Sequence, residues 1–148
     1  MVHSVLIADD HPILLGGLKA LIEADPDFEV VATAADGAAA LEGLRKFEPT
    51  VAILDLNMPG RTGLEVLMHV RNMALRTDVV VLAATASDDD IHRIVTAGAK
   101  GLVLKEAAPQ LLMQCLRAVA GGGTWYSEDI AGIVSRQGEE KRVWRERF

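Results

Sequence analysis

Five short apolar, largely β-branched runs recur along this chain, and each is followed by a longer segment whose apolar residues keep helical spacing. The runs are Val5–Ala8, Glu29–Thr33, Val51–Leu54, Val79–Leu82 and Leu102–Leu104. Pro12–Ala24 opens with a proline suited to a first helical turn and puts Leu14, Leu18, Leu21 and Ile22 on one face; Gly37–Phe47 does the same with Leu41 and Leu44. Thr62–Met73 offers Leu64, Leu67 and Met68, Asp88–Ala97 offers Ile91, Ile94 and Val95, and Pro109–Ala120 offers Leu111, Leu112, Cys115, Leu116 and Val119. Continuous rather than alternating apolar strands suit a parallel sheet covered on both faces. With right-handed crossovers, the alternation predicts an α/β fold: an open, doubly wound, five-stranded parallel sheet with helices on both faces.

The chain's 148 residues suit one domain rather than two. Half are apolar and 24% charged, which excludes disordered and fibrous classes. Glycines after the fifth helix, Gly121–Gly123, predict that the main domain spans 1–121 and that 122–148 form a C-terminal extension. In that extension Trp125–Ser135 reads as a short helix, capped by Ser127 with Glu128 and Asp129 in its first turn and packed through Trp125, Ile130 and Val134. Gln137–Phe148 reads as linker. Net charge is −6, yet the last thirteen residues hold five basic and three acidic groups against ten and eighteen in the rest. The acidic total argues against nucleic-acid binding by overall field. Cys115 is the sole cysteine, so no internal disulfide forms, which suits a reducing compartment. The apolar run near the N-terminus is shorter than the ~7–15 residues of a signal peptide. No stretch approaches the ~18 apolar residues of a membrane span. A cytoplasmic location away from membranes is predicted.

In open α/β sheets the site lies outside the carboxyl ends of the strands. The first strand ends in Asp9-Asp10, the third in Asp55, the fourth in Ala83-Ala84-Thr85 and the fifth in Lys105. With strand order 2-1-3-4-5, three carboxylates converge at the switch point with Lys105 nearby. Each piece alone has a plain reading, a solvated turn for Asp9-Asp10 and a surface lysine for Lys105. Asp55, however, sits between Leu54 and Leu56, where an unpaired carboxylate is costly to bury. Converging carboxylates repel and invite a cation, and oxygen-only ligation suits Mg2+, which binds through one or two carboxylates plus a phosphate oxygen. Phosphoryl transfer to an aspartate, with Lys105 pairing the delivered charge, is the chemistry such a set supports. His11, followed by Pro12, reads as a turn residue whose ring packs near the pocket. His69 and His92 read as helix-surface residues and Cys115 as an inert core residue. Met58-Pro59-Gly60 shapes the loop after Asp55.

The run Leu6-Ile7-Ala8-Asp9-Asp10-His11-Pro12, the run Asp55-Leu56-Asn57-Met58-Pro59-Gly60 with Gly63 following, and Lys105 together resemble the response-regulator receiver domain of the NarL/FixJ (LuxR-type) class. The resemblance covers roughly residues 3–121. It implies a flavodoxin-like fold with Asp55 as phosphoacceptor and Lys105 in contact with the phosphoryl group. It further implies Mg2+ bound directly by Asp10, assisted by Asp9 mostly through water, with Asp55 and the backbone carbonyl of Asn57 completing the protein's ligands. The implied donor is a histidine kinase or a small acyl phosphate, and the implied activity is signalling rather than turnover, limited to self-catalysed phosphorylation and dephosphorylation. Output by transcription regulation is expected through a DNA-binding helix-turn-helix domain, which the stretch after Gly121 is too short to hold. A homodimer through the first and fifth helices, or the fourth and fifth, is also implied.

Two positions depart from the family pattern. The hydroxyl residue usual at the end of the fourth strand is Ala83, and the aromatic residue usual three positions before the lysine is Leu102. Thr85 follows the strand end and reads as part of the turn into the helix, leaving the Ala84 backbone amide as a substitute contact in this switch region. Two rivals carry their own signatures. A haloacid-dehalogenase-like phosphohydrolase expects a second aspartate where Asn57 stands, and a flavodoxin-like cofactor carrier expects a phosphate-cradling loop where Asp9-Asp10 would repel one. A stand-alone receiver acting by protein–protein contact shares the same site and differs only in output.

Overall fold

The computed structural model describes residues 2–127 and 130–134. Strands β1 (His3–Ala8), β2 (Phe28–Ala34), β3 (Val51–Asp55), β4 (Asp78–Ala83) and β5 (Gly101–Leu104) alternate with helices α1 (Pro12–Glu23), α2 (Gly37–Phe47), α3 (Gly63–Asn72), α4 (Asp88–Thr96) and α5 (Ala108–Ala120). A single 3-10 turn, Lys105–Ala107, joins β5 to α5. The helix starts carry their own signals: Pro12 at the first position of α1, and side-chain caps from Asp36, Thr62 and Ser87 on α2, α3 and α4. Ser87 and Asp90 form a reciprocal capping box.

The sheet corrects the expectation of five strands. A sixth, β6 (Trp125–Tyr126), pairs in parallel with β5, giving the order β2-β1-β3-β4-β5-β6. Trp125 and Tyr126 therefore extend the sheet instead of opening a helix; described residues 130–134 are helical and Ala131 N donates to the Ser127 carbonyl. The reason is local. Gly122, at φ +94°, turns the chain back after α5, and a Cβ at Gly101 would lie 3.3 Å from the Trp125 carbonyl and 2.6 Å from Cys115 Sγ, so only glycine lets β6 close against β5. Tyr126 then anchors the edge through its hydroxyl, which donates to the Ala99 carbonyl at 3.0 Å. Glu128, Asp129, Ser135 and the expected linker Gln137–Phe148 lie outside the described residues.

Side chains alternate between two cores, as strands covered on both faces require. Val5, Ile7, Ile53, Val80, Leu82 and Val103 pack under α1 and α5; Leu6, Ala8, Leu54, Val81, Ala83 and Leu102 pack under α2, α3 and α4. Cys115 is fully buried in the first of these, and burial pushes its thiol up to about 12. The thiolate is the reactive form. A thiol reagent at pH 8 should therefore label Cys115 only after unfolding; fast labelling of the native protein, followed by absorbance, would count against this packing.

Candidate functional site

All site residues sit at the carboxyl edge of the sheet. Strand pairing sets Ala8 beside Leu54, so Asp9-Asp10 leave β1 next to Asp55 at the end of β3. Asp9 and Asp55 are almost completely buried, whereas the Asp10 side chain is one-third exposed. Lys105, the first residue after β5, reaches across with Nζ 2.8 Å from Asp55 Oδ2 and 3.2 Å from Asp9 Oδ2. The other Asp55 oxygen accepts the Asn57 backbone N–H at 3.1 Å, which tightens the loop after β3.

One lysine does not compensate three carboxylates. Burial raises the Asp55 pKa, with the Asp9 charge adding to it against the opposing pull of Lys105 and the Asn57 amide. Burial alone would lower Lys105, but hydrogen bonds and charge from Asp55 and Asp9 raise it, so the ammonium is the stable form. Asp9 Oδ2 is buried, and its ion-pair partner among the described residues is Lys105 Nζ at 3.2 Å, which Asp55 shares. One shared ammonium beside three carboxylates leaves charge that a further cation would neutralise. Oxygens of Asp9, Asp10 and Asp55 and a ring nitrogen of His11 all lie within 4.8 Å of one another. The donor set, mainly hard oxygens with a lysine to one side, fits Mg2+.

The sequence reading placed the His11 ring near the pocket, and it lies within it. Nδ1 is 2.9 Å from Asp9 Oδ1, 3.2 Å from Asp10 Oδ1 and 2.9 Å from Lys105 Nζ. Its adjacency to the acid pair was the available signal; its direction was not. Gly63, which follows the Asp55 motif, fixes the approach of α3: a Cβ there would lie 2.3 Å from the Asp55 carbonyl oxygen. Ala83 and Leu102 are fully buried beneath the site, while Ala84 and Thr85 are exposed, and among the described residues the Thr85 hydroxyl makes no hydrogen bond. Asn57 is exposed at the rim.

Comparison with known proteins agrees with this fold. The response regulator receiver domain family matches residues 5–117. The chain is 37% identical over 126 residues to the nitrate/nitrite response regulator protein NarP of Escherichia coli, covering 85% of this chain and 59% of NarP. It is 34% identical over 144 residues to NarL of the same organism, covering 97% of this chain and 67% of NarL. The chain thus spans about three-fifths to two-thirds of the length of these relatives. A crystal structure of a LuxR-family two-component response regulator from Aurantimonas superposes with TM-score 0.85 at 31% identity, covering 97% of this chain and 99% of that one.

Proposed function

Because the chain belongs to the response regulator receiver domain family, we propose that Asp55 accepts a phosphoryl group in a Mg2+-dependent reaction and relays a two-component signal to transcription. The observation that carries this is the state of Asp55: buried, one oxygen held by Lys105 Nζ at 2.8 Å and the other by the Asn57 amide, beside two further carboxylates. In the proposed reaction an Asp55 oxygen attacks phosphorus while the bond to the donor's nitrogen or acyl oxygen breaks, and the electron pair leaves with the donor. Lys105 holds Asp55 as a carboxylate before transfer and then pairs the phosphoryl oxygens. Asp10, Asp9, Asp55 and the Asn57 carbonyl would hold Mg2+, which when bound supplies neutralisation of the charge gathered by nucleophile and phosphoryl group. Asn57 in place of a second aspartate leaves no general base two residues on, which favours a lasting adduct over hydrolytic turnover.

The donor on this reading is a histidine kinase or a small acyl phosphate, the location cytoplasmic, and the output a DNA-binding helix-turn-helix domain outside this chain. Residues 1–121 form the receiver body, and 122–148 the extension, whose described part packs back onto the sheet. Incubation with Mg2+ and acetyl phosphate should give one base-labile phosphoryl adduct per chain, absent in Asp55→Asn, read by intact-mass spectrometry. Release of many phosphates per chain would instead indicate a phosphohydrolase.

Phosphorylation adds roughly −1.5 to −2 of charge, and it propagates only through an element that makes different contacts in the two states. With Ala83 and Leu102 buried and carrying neither hydroxyl nor aromatic ring, the β4–α4 loop lacks the usual direct side-chain contact and answers weakly, through backbone such as the Ala84 amide. A beryllofluoride titration with Mg2+ should therefore move amide resonances strongly around residues 9–11 and 55–60 and weakly over 83–90 and 100–106. Large shifts confined to the latter two segments would contradict this.

A further inference from the structure

We propose that the cavity between α2 and α3 is a binding site for a small organic phosphate, a ligand that carries a dianionic phosphoryl group on a partly apolar body. The cavity encloses about 640 Å3, within the ~300–1,000 Å3 of small-molecule sites. It shares no residue with the acid pocket, and its helices cover the face of the sheet opposite α1 and α5.

Its lining gathers positive charge in a chain whose net charge is −6. Arg45 and Lys46 come from the last turn of α2 and Arg61 from the loop between β3 and α3, while Glu42 is the one carboxylate among the lining residues. Each cation leans on a neutral group. Arg45 Nε donates to Met73 Sδ at 3.4 Å, Lys46 Nζ lies 5.2 Å from the centre of the Phe47 ring, and an Arg61 terminal N–H donates to His69 Nε2 at 2.7 Å. None of the three forms an ion pair among the described residues, whereas Lys105 and Arg117 each pair with two carboxylates. A guanidinium only donates, so His69 Nε2 is the acceptor and the contact steadies the Arg61 side chain.

Three permanent cations against one carboxylate leave a surplus that matches the roughly −1.5 to −2 of a phosphate monoester at pH 7. A guanidinium fork takes phosphate oxygens two at a time. Neither terminal nitrogen of Arg45 has a partner among the described residues, so its fork is available. Ala38 and Leu41 also line the cavity and suit the carbon body of an ester. The loop that carries Arg61 is fixed against the start of α2. Gly37 N donates to the Pro59 carbonyl at 3.4 Å, and a Cβ on Gly37 would stand 2.6 Å from the Arg61 carbonyl oxygen, an approach that glycine allows.

The test titrates metal-stripped protein, in buffer freed of divalent cations so that none carries phosphate into the acid pocket, with inorganic phosphate, phenyl phosphate and adenosine monophosphate at constant ionic strength. Nuclear magnetic resonance should show saturable one-to-one shifts at the Arg45 and Arg61 side chains, the His69 ring and the amides of 57–63, with both esters binding more tightly than inorganic phosphate. A hydrogen bond to a charged group is worth about 10–100-fold in affinity, so Arg45→Ala and Arg61→Ala should each weaken phenyl phosphate binding about tenfold or more. Arg45→Lys, which keeps the charge and loses the fork, should recover only part. Glu42→Gln should tighten binding several-fold, and Lys19→Ala, on α1 across the sheet, should leave it unchanged. These side chains are exposed, and circular dichroism checks that each variant folds. Shifts that never saturate, or equal losses in Lys19→Ala and Arg45→Ala, overturn the proposal. So does inorganic phosphate binding as tightly as both esters, or a hexaglutamate peptide binding more tightly than all three probes.

Discussion

Lys105→Met is expected to destabilise the fold by about 3–5 kcal/mol, the usual cost of removing one partner from a buried ion pair. For a domain of this size that is a fall of roughly 10 °C or more in Tm. Methionine keeps most of the stem and removes the charge, so the loss is electrostatic. Asp55 and Asp9 are 1% and 0% exposed, and Lys105 is the cation within 3.2 Å of both. Without it two buried carboxylates repel in low dielectric, and one must take up a proton. Two rescues distinguish this from a packing defect. Lys105→Met with Asp55→Asn removes one of the repelling charges and should recover part of the loss. Mg2+ should recover more in Lys105→Met than in the parent, since a ligand at about a hundred times its Kd adds about 2.7 kcal/mol. The pH dependence follows from the raised Lys105 pKa. Its contribution is complete below the unfolded value near 10.5 and is lost as pH rises past the higher folded value. Urea melts of the parent, Lys105→Met and the double variant, each with and without Mg2+, decide the matter, and a midpoint for Lys105→Met equal to the parent's would mean that the pocket is solvated.

Much of this arrangement was legible in the chain because it depends on local pattern. The apolar runs match the strands to within two residues at each end, most closely for the central strand β3, which is buried throughout, whereas the edge strand β2 carries exposed Glu29 and Thr33. Asp55 stood out for the same reason, as a carboxylate in a run that excludes charge. Lys105 was placed by strand order: β5 lies beside β4, which lies beside β3, so the end of β5 can reach Asp55. What escaped depends on direction and distance. Trp125-Tyr126 is too short to show a period of two, and its aromatic residues fit a helix face equally well, so the sixth strand emerges only from the close approach at Gly101. The His11 ring could have turned outward from the same backbone. Its inward aim is a property of the Asp9 and Asp10 side chains around it.

Gly63→Ala is expected to be the most damaging single-methyl change near the site, costing about 1–3 kcal/mol or more as overpacking. The added Cβ would meet the Asp55 carbonyl oxygen at 2.3 Å, its carbon at 2.9 Å and Leu56 Cα at 3.1 Å. All three are backbone atoms, so no side chain can swing aside. Gly63 N also donates to the Leu56 carbonyl at 3.0 Å, so the first turn of α3 is tied to the loop it would have to leave. Either α3 withdraws, loosening Val66, Leu67 and Val70 from the core, or the end of β3 shifts and takes Asp55 with it. Alanine's better helix propensity, about 1 kcal/mol, opposes this but is smaller than the clash. A displacement of about 1 Å at a reacting group can cost 100-fold in rate. Adduct formation from acetyl phosphate should therefore slow by up to about that factor even where Gly63→Ala remains folded. Gly16→Ala is the control, because a Cβ at Gly16 in α1 meets nothing within 4 Å. There the propensity term acts alone, and stability should rise by about 0.5–1 kcal/mol. Equal urea midpoints for the two variants, with equal adduct rates, would mean that α3 yields freely at Gly63 and does not fix Asp55.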